Sequence, residues 1–288
     1  MSSHGKVSLD QQNRIWQSVF MIREKGGGSS ASTKVWDIFD SHLYLLVNLH
    51  FMIGVNGNNL SKDFNKNIKK YCADNKESKP ASTFEELDIA TSDGDGGELI
   101  VLLAFEVEKS MCHHVNCDYD VVILKVPLND GDWEIGNGTM TRKCTEEPSL
   151  NSLKRKRKPV VKDDSVIAGT TVMKIPRCAV RVPDTTEQVF VFGYPAMNRA
   201  KTVKHSAVSS HITQFCFTVD FLSAPGMSGS AIIADATGHI VGYLGGNYDS
   251  SAKNDQFCSY AYAIGLLPRR PSSSRTNSPE RNSHSSGP

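Results

Sequence analysis

Long apolar runs are missing from these 288 residues: no stretch of ~18 apolar side chains occurs, so no segment reads as a membrane-spanning helix. The opening residues, MSSHGKVSLDQQNR, hold no apolar core of the kind a secretory leader needs, and the expectation is a protein that is not secreted. An excess of charge is missing too. Net charge is +1, from 32 Lys and Arg against 31 Asp and Glu, which does not suit a surface built throughout to hold nucleic acid. Cysteine is sparse and odd in number, seven residues at 72, 112, 117, 144, 178, 216 and 258, without tight pair spacing. They read as free thiols in a reducing compartment, which places the protein inside the cell, in cytoplasm or nucleus. Internal repeats are absent. With 39% hydrophobic and 22% charged residues, collagen-like and wholly disordered classes drop out.

What is present is a series of short apolar runs separated by Gly, Ser, Asn and Asp. They predict strands over 18–22, 34–39, 43–49, 98–108 and 121–126, then over 170–175, 188–192, 203–209, 214–219, 230–234, 240–244 and 259–264. Such spacing points to an all-β sandwich or barrel. Helical periodicity is confined to 61–72, and Ser8-Leu9-Asp10-Gln11 fits a capping box for a short helix toward Trp16. The polar stretch 129–165 contains Lys154-Arg155-Lys156-Arg157-Lys158 and reads as a linker between two strand groups. Residues 267–288 are nearly free of apolar side chains and read as a disordered tail.

The sharpest local feature is Ala224-Pro225-Gly226-Met227-Ser228-Gly229-Ser230, followed by the apolar Ala231-Ile232-Ile233. Glycines beside a serine let the backbone turn sharply, so that consecutive N–H groups can face one point. Donors of that kind stabilise a developing oxyanion by about 3–4 kcal/mol each. The Gly-x-Ser-x-Gly elbow of α/β hydrolases does not fit, because position 230 is serine and the strand–helix alternation is missing. A serine hydroxyl needs a base, and the base an orienting acid. His50 ends the apolar run Leu43-Tyr44-Leu45-Leu46-Val47-Asn48-Leu49, with His42 as its competitor; Asp120 abuts Val121-Val122-Ile123-Leu124, with Asp118 as its competitor.

With these residues in view, the chain resembles the trypsin-like (chymotrypsin-fold) serine proteases, nearer the bacterial-type, HtrA-like branch than the digestive enzymes. Leu46-Val47-Asn48-Leu49-His50-Phe51 is similar to that family's LVTNAHV, and Tyr119-Asp120-Val121-Val122-Ile123-Leu124-Lys125-Val126 to its D-[IL]-A-L-L-K-V. Val191-Phe192-Gly193-Tyr194-Pro195, Gly238-His239-Ile240-Val241-Gly242-Tyr243 and Tyr262-Ala263-Ile264 match further stretches, over residues 17–266 in all. The resemblance implies two six-stranded antiparallel β-barrels, about 17–128 and 166–266, with the active site in the cleft between them. It implies His50 as general base, Asp120 as its partner, Ser228 as nucleophile, and the N–H groups of Gly226 and Ser228 as oxyanion hole. The implied reaction is hydrolysis of a polypeptide substrate through an acyl-enzyme, with neither metal nor organic cofactor.

The sequence also departs from that pattern. Met227 stands where the digestive branch has aspartate, and Leu49 replaces the small residue before the histidine. Leu49, with the poor match over 26–39, supports an alternative, a catalytically silent module of the same fold that binds peptides or partner proteins. Leu222, Leu244 and Tyr262 are the candidate substrate pocket and suggest an apolar preference. Cys112-His113-His114-x-x-Cys117 invites a zinc reading, but adjacent ligands cannot all reach one tetrahedral ion, and a polar hairpin tip is the expectation. The Lys154–Lys158 cluster reads equally as a nuclear-import signal and as a solvated linker.

Overall fold

The computed structural model describes residues 7–26, 28–54, 70, 84–92, 99–129, 131–136, 138–143, 169–176, 179, 181–196, 200–248 and 258–267. Helix α1 (Leu9–Trp16) begins as the capping box requires: Gln11 N donates to Ser8 Oγ at 3.2 Å, and Ser8 N donates to Gln11 Oε1 at 3.0 Å. Seven strands follow: β1 (Val19–Glu24), β2 (Ser30–Phe39), β3 (His42–Asn48), β4 (Glu86–Ser92), β5 (Leu99–Glu106), β6 (Cys112–Asn116) and β7 (Val121–Pro127). They form one antiparallel sheet in the order β5-β4-β1-β2-β3-β7-β6. β8 (Trp133–Gly136), β9 (Thr139–Arg142) and β10 (Thr171–Met173) make a small sheet. The last six strands are β11 (Gln188–Gly193), β12 (Thr202–Thr213), β13 (Cys216–Val219), β14 (Ala231–Ala234), β15 (Ile240–Tyr248) and β16 (Cys258–Ala263). They close into a barrel in the order β11-β12-β13-β16-β15-β14.

Of the two six-stranded barrels expected, one is shown closed, the C-terminal one. Among the described residues the N-terminal strands form an open seven-stranded sheet, and β5 and β6 at its two ends do not pair with each other. Its core is completed by the small sheet instead, which contributes Trp133, Met140 and Val172, while Arg142 Nη1 donates to Leu102 O on β5 at 3.1 Å. β8 and β9 lie inside the polar stretch expected as linker. Lys154–Lys158, the tail beyond residue 267 and nearly all of the expected helix 61–72 fall outside the described residues.

The alternation of side chains along each strand explains why these runs are apolar on both faces. On β3, Leu43, Leu45 and Val47 enter the core of the first sheet, while Tyr44 and Leu46 point the other way. On β7, Val122, Leu124 and Val126 go inward, and Val121 and Ile123 go outward. The outward set meets Ala231 and Ile233 of β14 and Tyr260 and Tyr262 of β16, whose neighbours Ile232, Ala234, Ala261 and Ala263 fill the barrel. Sheet and barrel thus share a third core. That core holds the end of β3 and the start of β7 against the barrel.

Lys201, just before β12, joins α1 to this assembly. Its Nζ donates to Trp16 O and lies over the rings of Trp16, Phe20 and Tyr194, at 5.6, 5.1 and 5.7 Å from their centroids. Burial lowers its pKa from 10.5 to about 7. Between those values the unfolded chain holds a proton that the folded chain has released, so stability rises with pH across that window. The expected result is that the denaturant midpoint, followed from pH 7 to 10, rises more steeply for the wild type than for Lys201→Met. Parallel pH profiles for the two proteins would remove Lys201 as the cause.

Candidate active site

His50 and Asp120 are brought together by strand register. β3 and β7 pair with Asn48 opposite Val121, so the residues after β3 meet those before β7. After Asn48 the chain turns into α2 (Leu49–Met52), a single helical turn carrying His50. Asp120 stands one residue before β7 with φ of 49°, the left-handed region that aspartate adopts more readily than most side chains. Leu49 N donates to Asp120 O at 3.1 Å and His50 N to Asp120 Oδ1 at 2.7 Å. His50 Nδ1–H then donates to Asp120 Oδ2 at 2.5 Å, and Asn48 Nδ2 donates to the same oxygen at 2.9 Å. A carboxylate only accepts, so this contact places the imidazole hydrogen on Nδ1 and leaves the lone pair on Nε2.

The pair is buried, with His50 4% and Asp120 1% exposed. On the barrel side of the shared core lie Tyr243, Tyr260 and Tyr262, whose phenols are held well above the usual range by burial, with the Asp120 charge as a further cause. They therefore stay protonated and cannot set a second negative charge beside Asp120. Tyr243 Oη donates to Tyr119 O at 2.6 Å, which ties the barrel to the residue before Asp120. The competitors lie elsewhere. His42 packs its Nδ1 against Asp40 O, and Asp118 is exposed in the turn before Asp120.

Ser228 is half-buried in the turn between β13 and β14. Gly226 and Gly229 flank it with φ of 87° and 85°, values that favour glycine. A Cβ on Gly229 would stand 2.0 Å from Ser32 O and 2.9 Å from Asn48 Oδ1. The residue after the serine is thus packed against Asn48, the same side chain that donates to Asp120. The candidate oxyanion donors are oriented through their own peptide units. Pro225 O accepts from Ala196 N at 2.8 Å, and Met227 O accepts from Ser230 N at 2.9 Å and Ser230 Oγ at 2.6 Å. In a trans peptide the N–H points opposite to the C=O, so these anchors turn the Gly226 and Ser228 N–H groups the other way. Neither donates to another described residue.

The three expected pocket residues are not assembled into one wall. Leu222 is 54% exposed, Leu244 belongs to the barrel core and Tyr262 to the core shared with the sheet. Beside the serine turn lies a polar knot instead. Ser223 N donates to Asn247 Oδ1 and to Ser259 Oγ, each at 2.9 Å, and Ser223 Oγ donates to Asn247 Oδ1 at 2.6 Å. Met227 is 1% exposed within the barrel core, which suits a thioether and has no place for a carboxylate.

Asn48, Ala196 and Ser230 carry parts of the site that reading the sequence did not single out. Asn48 lies inside the motif around His50, yet only the β3–β7 register decides that its amide meets Asp120. The zinc-like cluster is dispersed: β6 is an outer strand, with Cys112 buried and His113 exposed and packed edge-on to Tyr44. The expected hairpin tip is thus a strand. Cys117 is disulfide-bonded, which corrects the expectation of free thiols throughout. Burial lowers the His114 pKa, with His113 adding to the effect. Among the described residues no cluster of His, Cys, Asp and Glu has the arrangement of a metal site, and no helix is long and apolar enough to cross a membrane.

No family model and no curated protein matches the chain. Solved structures do. The Rv3671c protease of M. tuberculosis in its active form is 15% identical, with a TM-score of 0.46 over 90% of this chain and 81% of that one. The serine endoprotease of Yersinia pestis is 13% identical, with a TM-score of 0.46 over 91% of this chain and 65% of that one. Deg5 is 14% identical, with a TM-score of 0.45 over 88% of this chain and 89% of that one. These likenesses are ones of fold.

Proposed function

We propose that the protein is a serine endopeptidase of trypsin-like fold that cleaves polypeptides through an acyl-enzyme. The single observation carrying this reading is the His50–Asp120 pair, joined by two hydrogen bonds and packed through Asn48 against the glycine next to Ser228. Asp120 fixes the tautomer in which Nε2 of His50 is basic. Nε2 takes the proton of Ser228 as Oγ bonds to the substrate carbonyl carbon, and the carbonyl oxygen gains the electron pair. The Gly226 and Ser228 N–H groups receive that oxyanion. His50 then gives its proton to the leaving nitrogen as the C–N bond breaks. Water, activated by the same imidazole, releases the acyl group.

A fluorophosphonate probe tests this directly. The full-length protein is expected to form a covalent adduct, located on Ser228 by mass spectrometry. A folded protein that takes up no probe would reverse the reading in favour of a silent module that binds peptides.

A further inference from the structure

The serine turn is gripped from the first sheet by one strand. Along β2, side chains two residues apart share a face, and Ser32 and Lys34 both face the turn. Ser32 N donates to Ser228 O at 2.8 Å. Ser32 Oγ accepts from Tyr194 N at 2.8 Å, donates to Gly226 O at 3.1 Å, and lies 3.3 Å from Ser230 Oγ. Lys34 Nζ donates to Gly229 O and lies 5.4 Å from the centroid of the Tyr243 ring. The carbonyls of Gly226, Ser228 and Gly229 are therefore all drawn toward β2.

Lys34 is wholly buried. Taking an ammonium out of water is costly, and an unbranched apolar side chain of similar length would fill the same space without that cost. Packing alone does not account for a lysine here. What the ammonium adds is a strong donor aimed at the carbonyl next to the nucleophile. Gly226 O, turned toward Ser32, sends the following N–H the other way, onto Ala224 O at 3.1 Å. One side of the turn is thereby engaged, and the Gly226 and Ser228 amides remain on the other.

We propose that Ser32 and Lys34 are positioning residues for the nucleophile: β2 grips the carbonyls of Gly226, Ser228 and Gly229 and so sets the direction of the Ser228 hydroxyl and of the two oxyanion donors. The proposal deepens the protease reading and rests on it. It also makes the first sheet more than the carrier of His50 and Asp120, because the barrel's own turn takes its shape from a strand outside the barrel.

The test compares wild type, Lys34→Met and Ser32→Ala. In folded Lys34→Met the rate of fluorophosphonate labelling is expected to fall about 100-fold, the scale of a 1 Å misplacement of reacting groups, and peptide turnover to lose kcat with KM unchanged. Labelling of Lys34→Met at the wild-type rate overturns the proposal. Should Lys34→Met not fold, Ser32→Ala decides by the same reading, and failure of both to fold assigns the pair a purely structural role and overturns it as well. An unlabelled wild type sinks the protease reading by itself. The grip is then read by hydrogen exchange at residues 226–230, about tenfold faster in Lys34→Met if it holds and unchanged if it does not.

Discussion

Ser228→Ala is expected to lower kcat about 10⁶-fold on a fluorogenic peptide, with KM and the thermal midpoint close to those of the wild type. The hydroxyl is the only atom removed, and it makes no hydrogen bond that holds the turn. The turn is instead anchored by the carbonyls of Pro225, Met227 and Ser228 and by Gly229 N, which donates to Leu244 O at 2.8 Å. Binding and the oxyanion amides therefore survive the substitution, and what is lost is the covalent route. Adding His50→Ala to Ser228→Ala is expected to cost nothing further, because a base without its nucleophile has no proton to take. Turnover of Ser228→Ala within ~10-fold of the wild type would assign the reaction to another group.

Asp120→Asn is expected to lower kcat about 10⁴-fold while the protein stays folded. Both carboxylate oxygens are engaged, Oδ1 by His50 N and Oδ2 by His50 Nδ1–H and Asn48 Nδ2. An asparagine has one acceptor for these three donors, so whichever way its amide is turned an N–H₂ confronts an N–H. The imidazole relieves the conflict by moving its hydrogen to Nε2, the atom that must be basic for catalysis. Two measurements check this. The kcat should fall with little change in KM, and the His50 ring nitrogens should exchange their tautomeric pattern in ¹⁵N NMR spectra. An unchanged tautomer with unchanged kcat would remove Asp120 from the mechanism.

Much of the site was legible before any fold was known, and for local reasons. The Ser8 capping box needs only residues three apart, and the structure keeps it at 3.2 and 3.0 Å. His50 and Asp120 were marked by lying at the ends of apolar strands, which are local patterns too. Less legible were β4, β6, β8 and β9. Glu86–Ser92 is a strand whose Leu87 and Ile89 enter the core, but its acidic neighbours mask the alternation. Cys112–Asn116 reads as a polar turn because, as an outer strand, it is only partly buried. The placement of the expected pocket residues was hidden for a related reason. Position relative to the serine does not say which way a side chain points, and Leu222 turns outward while Leu244 turns into the barrel.

The sequence by itself determined the strand-rich character, the first helix, and the local patterns that single out His50, Asp120 and Ser228, because these depend on neighbours within a few positions. Tertiary structure decided the rest. It brought β8–β10 onto the core of the first sheet, put Asn48 on Asp120, and seated Ser32 and Lys34 of β2 against the serine turn. The contacts of Asn48, Ser32 and Lys34 join residues far apart in the chain, from 72 between Asn48 and Asp120 to 198 between Ser32 and Ser230. Their existence rests on strand register and on the core shared by sheet and barrel. No local pattern encodes a register, since a shift of one residue would send every one of those side chains to the opposite face.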